Sequence, residues 1–308
     1  MINFSIVIGV YNKEKYITHT LQSVLDQSYA HFELIIINDG STDSSEEQIL
    51  AFTDPRINYY KQENLGAGAA RNKAIELAKH NYIALLDADD IWDKNYLESQ
   101  ASLITKYPKK SVFSCAIQQQ IGKRLIAKKY AIPKDTIGIY NYFEASAQTS
   151  LLHSSSTILH KDVLKTVGFY NPNIISGQDT DLYVRIGIKY SVVFNPKILV
   201  TYTINDDSLW RSISTVTDRV DFANYGETEK NNEALKKFLD INRFSLAIQA
   251  KKWNEKKSFK KLVSAINQQN LNKKQRFLLK QPSIILRFLS TIKKWMEKSG
   301  LGFTIFGQ

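Results

Sequence analysis

The 308-residue chain has one cysteine, Cys115, so it can form no internal disulfide and no four-cysteine zinc site. A lone thiol fits a reducing compartment. No run of eighteen apolar residues occurs, which argues against a membrane-spanning helix. The first residues, MINFSIVIGVYN, place no basic stretch ahead of an apolar one, so a secretory signal is not expected. There is no GxSxG elbow, no HExxH pair and no internal repeat.

What is present is the balance of a folded protein: 43% hydrophobic and 23% charged residues, enough to bury a core. The net charge is +11, and its location says more than its size. Up to Arg219 there are 23 Lys plus Arg against 23 Asp plus Glu; from Val220 onward there are 18 against 7. A whole excess confined to the tail suggests a polyanionic partner surface, either membrane or nucleic acid. The expected division is a domain over 1–220 and a basic, mainly helical region over 221–308.

Strand and helix signals alternate through the first hundred residues. SIVIGV (Ser5–Val10), FELIII (Phe32–Ile37), INYY (Ile57–Tyr60) and YIALL (Tyr82–Leu86) read as strands, and the apolar ones as strands buried on both faces. Helical spacing is seen in Lys15–Gln27, Ser44–Ala51 and Gly66–Lys79. The pattern predicts an α/β fold built on a mostly parallel sheet flanked by helices. Later strands are expected near Val112–Ile117, Thr157–Leu159 and Val192–Phe194, and a helix over Asp179–Lys189. In such sheets ligands bind beyond the carboxyl ends of the strands, so polar residues gathered there draw attention.

The strongest such group is LLDADD, Leu85–Asp90. Three carboxylates at a strand end repel one another, and a hard divalent cation relieves that cost. Read alone, the same turn is also an ordinary acidic helix cap. Asp39, in NDGSTD, is either turn chemistry or an acceptor for a base or ribose hydrogen bond. NLGAGAARN (Asn64–Asn72) opens a helix with Gly66 and Gly68 and places Arg71 one turn in, which suits a diphosphate. It follows the third predicted strand, not the first, so a nicotinamide enzyme is disfavoured. Asp179 and Asp181 begin a predicted helix, where either could be a cap or a general base, and Asp181 could simply pair with Arg185. Cys115 reads as core, and His153 and His160 show no metal spacing.

SIVIGVYN, NDGSTD, NLGAGAARN, LLDADD and GQDTDL preceded by VGFYNP occur in this order. With these five elements, over about Phe4–Ser214, the sequence resembles glycosyltransferase family 2, the inverting nucleotide-sugar transferases of GT-A (Rossmann-like) fold. The resemblance implies that Val10, Tyr11 and Asn12 line a nucleotide-base pocket. It further implies that Asp39 bonds the base, that Gly66 and Arg71 serve the diphosphate, and that Asp87 faces ribose or metal. Asp89 would bind Mn²⁺ or Mg²⁺, and Asp179 would be the base that deprotonates the acceptor hydroxyl. Asp90, Trp92, Gln178 and Asp181 are expected at the acceptor. Gln178 departs from the family's usual Glu. Thr201–Ser214 lacks the family's usual His, with Asn205 or Asp206 as stand-ins. The implied reaction transfers sugar from a nucleotide donor, expected to be UDP-linked, to a saccharide or lipid-linked acceptor in cell-surface glycan synthesis. The expected location is the cytoplasm or the inner membrane surface.

In the tail, Ile285, Phe288, Leu289, Ile292, Trp295 and Met296 share one helical face, with Lys256–Lys261 upstream as a basic cluster. This describes either a helix lying in a membrane interface or one packed on its own domain. The rivals to sugar transfer are a nucleotidyltransferase, distinguished by pyrophosphate release, and a non-enzymatic nucleic-acid- or membrane-binding protein. No nucleic-acid module is recognisable, so none is expected as partner.

Overall fold

The computed structural model describes residues 1–133, 135–204 and 213–299, with side chains described through 292. Two compact units divide it, Met1–Ser208 and Leu209–Gln308. The step in charge lies a little further on, at residue 220.

The first unit is built on one ten-stranded sheet. Its strands are β1 (Phe4–Val10), β2 (Phe32–Asp39), β3 (Ile57–Gln62), β4 (Tyr82–Leu85), β5 (Ile91–Trp92), β6 (Val112–Ile121), β7 (Arg124–Ala127), β8 (Gly138–Tyr140), β9 (Ile158–His160) and β10 (Val192–Thr203). They run in the order β3-β2-β1-β4-β9-β6-β10-β5, with β7 added beside β6 and β8 beside β10. The helices are α1 (Ile17–Leu25), α2 (Ser45–Leu50), α3 (Ala67–Leu77), α4 (Tyr96–Lys106), α5 (Tyr142–Ala145), α6 (Lys161–Val167) and α7 (Gln178–Lys189).

The α/β architecture expected from the sequence is present, but the sheet is more mixed than a mostly parallel one. It is parallel through β3-β2-β1-β4 and again between β6 and β10. β9 runs antiparallel between β4 and β6, and β5, β7 and β8 add further antiparallel pairs. The reason is the change in connection: helical crossovers join the first four strands, while β6 to β7 is a tight turn through Gly122.

β1 and β2 are covered on both faces, which explains their unbroken apolar runs. β1 has β2 on one side and β4 on the other, so the strand order reverses at β1. This is the crevice where open α/β sheets bind ligands. α3 packs closely on β1 because small residues meet there: a Cβ on Gly9 would stand 3.2 Å from the Ala70 Cβ. That approach brings Arg71 to the crevice.

The second unit is helical among its described residues: α8 (Gly226–Lys230), α9 (Glu233–Lys252), α10 (Lys256–Ser264), α11 (Lys273–Lys280) and α12 (Ser283–Ser299). Phe244, Ala247 and Ile248 of α9 form a core with Ile266, Leu271, Leu278, Leu279 and Leu286. Buried Arg243 is paired with Glu229 at 2.6 and 3.0 Å, and Asp240 accepts from the Asn267 amide at 3.1 Å. α11 begins with a capping box between Asn272 and Gln275. The face of α12 that turns inward overlaps the expected stripe only in part. Leu286 is buried and Leu289 packs against the core, while Ile284, Ile285 and Phe288 point out. The side chains of Trp295 and Met296 lie outside the described residues, as do Asn205 and Asp206.

Candidate active site

The turn after β4 holds three carboxylates in three different situations. Asp87 takes a 2.5 Å ion pair from Arg71 Nη2. Asp89 takes one from Lys13 Nζ, also at 2.5 Å, and Lys13 follows β1 in the segment YNK. Asp90 is fully buried and accepts from Ser155 Oγ at 2.5 Å and from the Thr203 amide at 2.9 Å. Burial works to raise the Asp87 carboxyl, but Arg71 outweighs it and holds the group below the usual carboxylate range. Asp90 goes the other way: burial first, then the charges of Asp89 and Asp87, push its carboxyl well above that range. Crowded acids thus share the charge unequally.

Arg71 is the hub. Its Nη1 lies 3.6 Å from Asp179 Oδ1, while Nη2 serves Asp87. Burial opposes its charge, yet Asp179 and Asp87 keep the guanidinium firmly ionised. Arg71 Nη1, Asp179 Oδ1 and the hydroxyls of Tyr170 and Tyr183 are all buried without a hydrogen-bond partner. Such atoms at one place mark room for a polar ligand. Asn72, next to Arg71, fixes the opposite wall: its side chain donates to the Tyr170 carbonyl at 2.8 Å and accepts from the Tyr170 amide at 3.0 Å. The Tyr170 ring lies 5.4 Å from the Arg71 guanidinium.

Asp179 and Asp181 both stand in the first turn of α7, entered through left-handed Gly177 with φ +86°. Their roles separate. Asp181 is held by Arg185 at 2.8 and 3.0 Å, and Arg185 also donates to the carbonyls of Val167, Gly168 and Phe169. Asp179 keeps about a third of its side chain exposed, at 32%. Of the two, it is the one an acceptor can reach.

The other sequence-predicted residues fall into two groups. Near the end of β1, Val10 is buried and Tyr11 is exposed. Asn12 adopts φ +51° and accepts from the Thr42 amide at 2.8 Å. Asp39 is buried and accepts from Gln62 at 2.7 Å, Leu65 at 3.0 Å and Gly66 at 2.9 Å, so it shapes the glycine turn ahead of α3. Gly66 has φ +89°, which suits a residue without Cβ. Three of the residues expected at the acceptor are inward. Asp90 is inaccessible, Gln178 is buried, and Trp92 stacks on Tyr96 at 4.2 Å while donating to the Ser155 carbonyl at 2.6 Å. They brace the site from behind.

The sequence alone assigned no site role to Lys13, Asn72, His153, Ser155, Tyr170 or Tyr183. His153 is half-buried among the charges of Asp87, Asp179 and Asp89, and its Nδ1 accepts from the Ser155 amide at 3.2 Å. Burial lowers its pKa below the usual histidine value despite those acids. Only the position of Asn72 beside Arg71 offered a local signal; the others are assembled by the sheet.

A family model described as glycosyl transferase family 2 matches residues 5–168. The chain belongs to glycosyl transferase family 2. An uncharacterized glycosyltransferase of Rickettsia felis is 28% identical over 213 residues, 68% of this chain but 35% of that protein, so the chain spans about a third of that relative. WfgD of Escherichia coli is a UDP-Glc:alpha-D-GlcNAc-diphosphoundecaprenol beta-1,3-glucosyltransferase. It is 43% identical over 103 residues, covering 33% of this chain and 41% of that one. The crystal structure of S. aureus TarS shares the fold, with TM-score 0.63 at 18% identity over 97% of this chain and 55% of that one. Residues 1–349 of TarS in complex with UDP-GlcNAc give TM-score 0.59 at 16% identity, over 98% of this chain and 93% of that one.

Proposed function

We propose that the chain transfers a sugar from a UDP-linked donor to a hydroxyl of a saccharide or lipid-linked acceptor, with inversion, in the assembly of a cell-surface polysaccharide. The observation that carries this reading is Arg71 placed between Asp87 and Asp179 at the β1/β4 crevice. The cation suits a diphosphate, and the partly exposed carboxylate beside it suits an incoming hydroxyl. The names of WfgD and of the TarS complex support a UDP-sugar donor, and that of WfgD supports a lipid-linked acceptor.

In this reading Asp179 accepts the acceptor's proton as the hydroxyl attacks the anomeric carbon. Arg71 opposes the charge that builds on the departing diphosphate. Tyr170 and Tyr183 are buried beside the base and wall it in. The buried Asp90–Ser155 pair holds the acidic turn in place from below.

The residues also fit a divalent cation. Asp87 and Asp89 are hard oxygen donors from one turn, each now facing a side-chain cation. No group of three His, Cys, Asp or Glu able to hold a metal exists among the described residues, so phosphate oxygens would complete the shell. Mn²⁺ or Mg²⁺ held there would supply further charge neutralisation for the leaving group.

The test is to incubate the purified chain with a panel of UDP-sugars, with and without Mn²⁺, and to identify the released product. UDP release supports the reading. Release of UMP and a sugar 1-phosphate, which marks attack at phosphorus instead of the anomeric carbon, or no turnover and no thermal stabilisation by any member of the panel, overturns it.

A further inference from the structure

The second unit carries large apolar side chains that its own core does not use. α11 and α12 direct Leu278, Leu279 and Leu286 inward. Turned away from that core are Phe277 at 60% exposure, Ile284 at 74% and Phe288 at 65%. Ile284 and Phe288 are four residues apart, so they lie on one outward stripe of α12, with half-open Ile285 at its margin. Lys273, Lys274 and Lys280 are exposed on α11 around Phe277. Residues 256–299 hold 12 Lys plus Arg and one acid, Glu297.

We infer that this face docks on a bilayer leaflet rich in anionic phospholipid, with Phe277, Ile284 and Phe288 entering the headgroup boundary and the lysines meeting the lipid phosphates. Two features together select this occupant. Large apolar side chains need an apolar medium to leave water. The surrounding cations need an anionic one. Nucleic acid satisfies the cations but gives Ile284 nothing to bury into. A second copy of the chain offers apolar surface, but sets like charge against like charge. An anionic membrane surface answers both, as interfacial amphipathic helices do. No helix among the described residues is long and apolar enough to cross a membrane, so the contact is one of lying on the surface. The inference stands independently of the donor and of the reaction.

The test is cosedimentation of the full chain with vesicles of phosphatidylcholine alone or mixed with phosphatidylglycerol. Binding is expected only to the anionic vesicles and is expected to weaken as salt rises. Phe277→Ser/Ile284→Ser/Phe288→Ser should lower the vesicle affinity by about tenfold or more. Lys273→Gln/Lys280→Gln should lower it by about fivefold per lysine. Both variants change exposed residues, so unfolding temperatures should match the parent. Equal binding to both vesicle types, no binding to either, or undiminished binding by the apolar variant overturns the inference. So does light scattering that shows a dimer which the apolar variant dissociates, or retention on duplex DNA that vesicles do not displace.

Discussion

Arg71 Nη1 and Asp179 Oδ1 stand 3.6 Å apart, both buried and neither with a hydrogen-bond partner. They attract each other without being locked together. The other arm of Arg71 is locked, at 2.5 Å from Asp87. One guanidinium therefore anchors itself on the acidic turn while keeping a donor for whatever enters beside the base. A lysine cannot do both, because an ammonium lacks the planar fork. Arg71→Lys should fold, yet lose about a hundredfold in turnover. Steady-state kinetics beside a thermal melt checks this. Near-parental turnover would show that the fork is not used.

Asp179→Asn should lower transfer by about a hundredfold to ten-thousandfold while leaving calorimetric donor binding close to the parent. The contrast is Asp181→Asn, which removes the partner of Arg185 and with it the tie to residues 167–169. That change should cost stability, about 1–3 kcal/mol, with turnover per folded molecule largely kept. Loss of chemistry in the Asp181 variant and not in the Asp179 variant would exchange the two assignments.

Asp89→Ala should weaken UDP binding measured in Mn²⁺ by about tenfold or more and leave binding in chelator unchanged. The same variant frees Lys13 from its ion pair, so any metal-independent gain in affinity would be read in the chelator arm. Identical affinities with and without Mn²⁺ in the parent would remove the cation from the site.

Asn72→Ala should destabilise the first unit by about 1–3 kcal/mol, because it deletes two hydrogen bonds to the Tyr170 backbone. The loss should extend to turnover, since the same bonds hold the Tyr170 wall against α3 beside Arg71. An unchanged melting temperature would mean that water replaces both bonds.

Local rules in the sequence place several of these residues, while their roles come from the family resemblance. Buried apolar runs mark β1, β2 and β4, polar residues after β4 include Asp87 and Asp89, and the glycine turn that opens α3 marks Arg71. The start of a helix offered both Asp179 and Asp181, and only the family resemblance chose Asp179. What could not be read was depth. Asp90 and Asp89 are neighbours in one acidic turn, yet Asp90 points down to Ser155 and Asp89 across to Lys13. Nothing in DADD distinguishes them; β9, β10 and the loop at 153–157 do. Trp92 was expected at the acceptor, but β5 pairs it with β10 and turns it into the core. On α12, a stripe of period 3.6 was visible, but the inward arc is the one beside α9, and only packing decides that.

His153 supplies a pH signature. Burial lowers its pKa below the ordinary histidine value near 6.5, and the acids around it offset only part of that effect. The folded chain therefore binds this proton less readily than the unfolded chain. Its contribution is complete above the unfolded value and declines as pH falls through the interval down to the folded one, since there the unfolded state takes up the proton. The parent's melting temperature should thus fall between about pH 7.5 and 5.5. His153→Gln removes the titrating group, so its own melting temperature should fall less over the same range, even if it starts lower because the Ser155 amide loses its acceptor. Melts of both proteins across that range check the sign. Parallel declines would assign the acid sensitivity to another group and leave His153 with its ordinary affinity for protons.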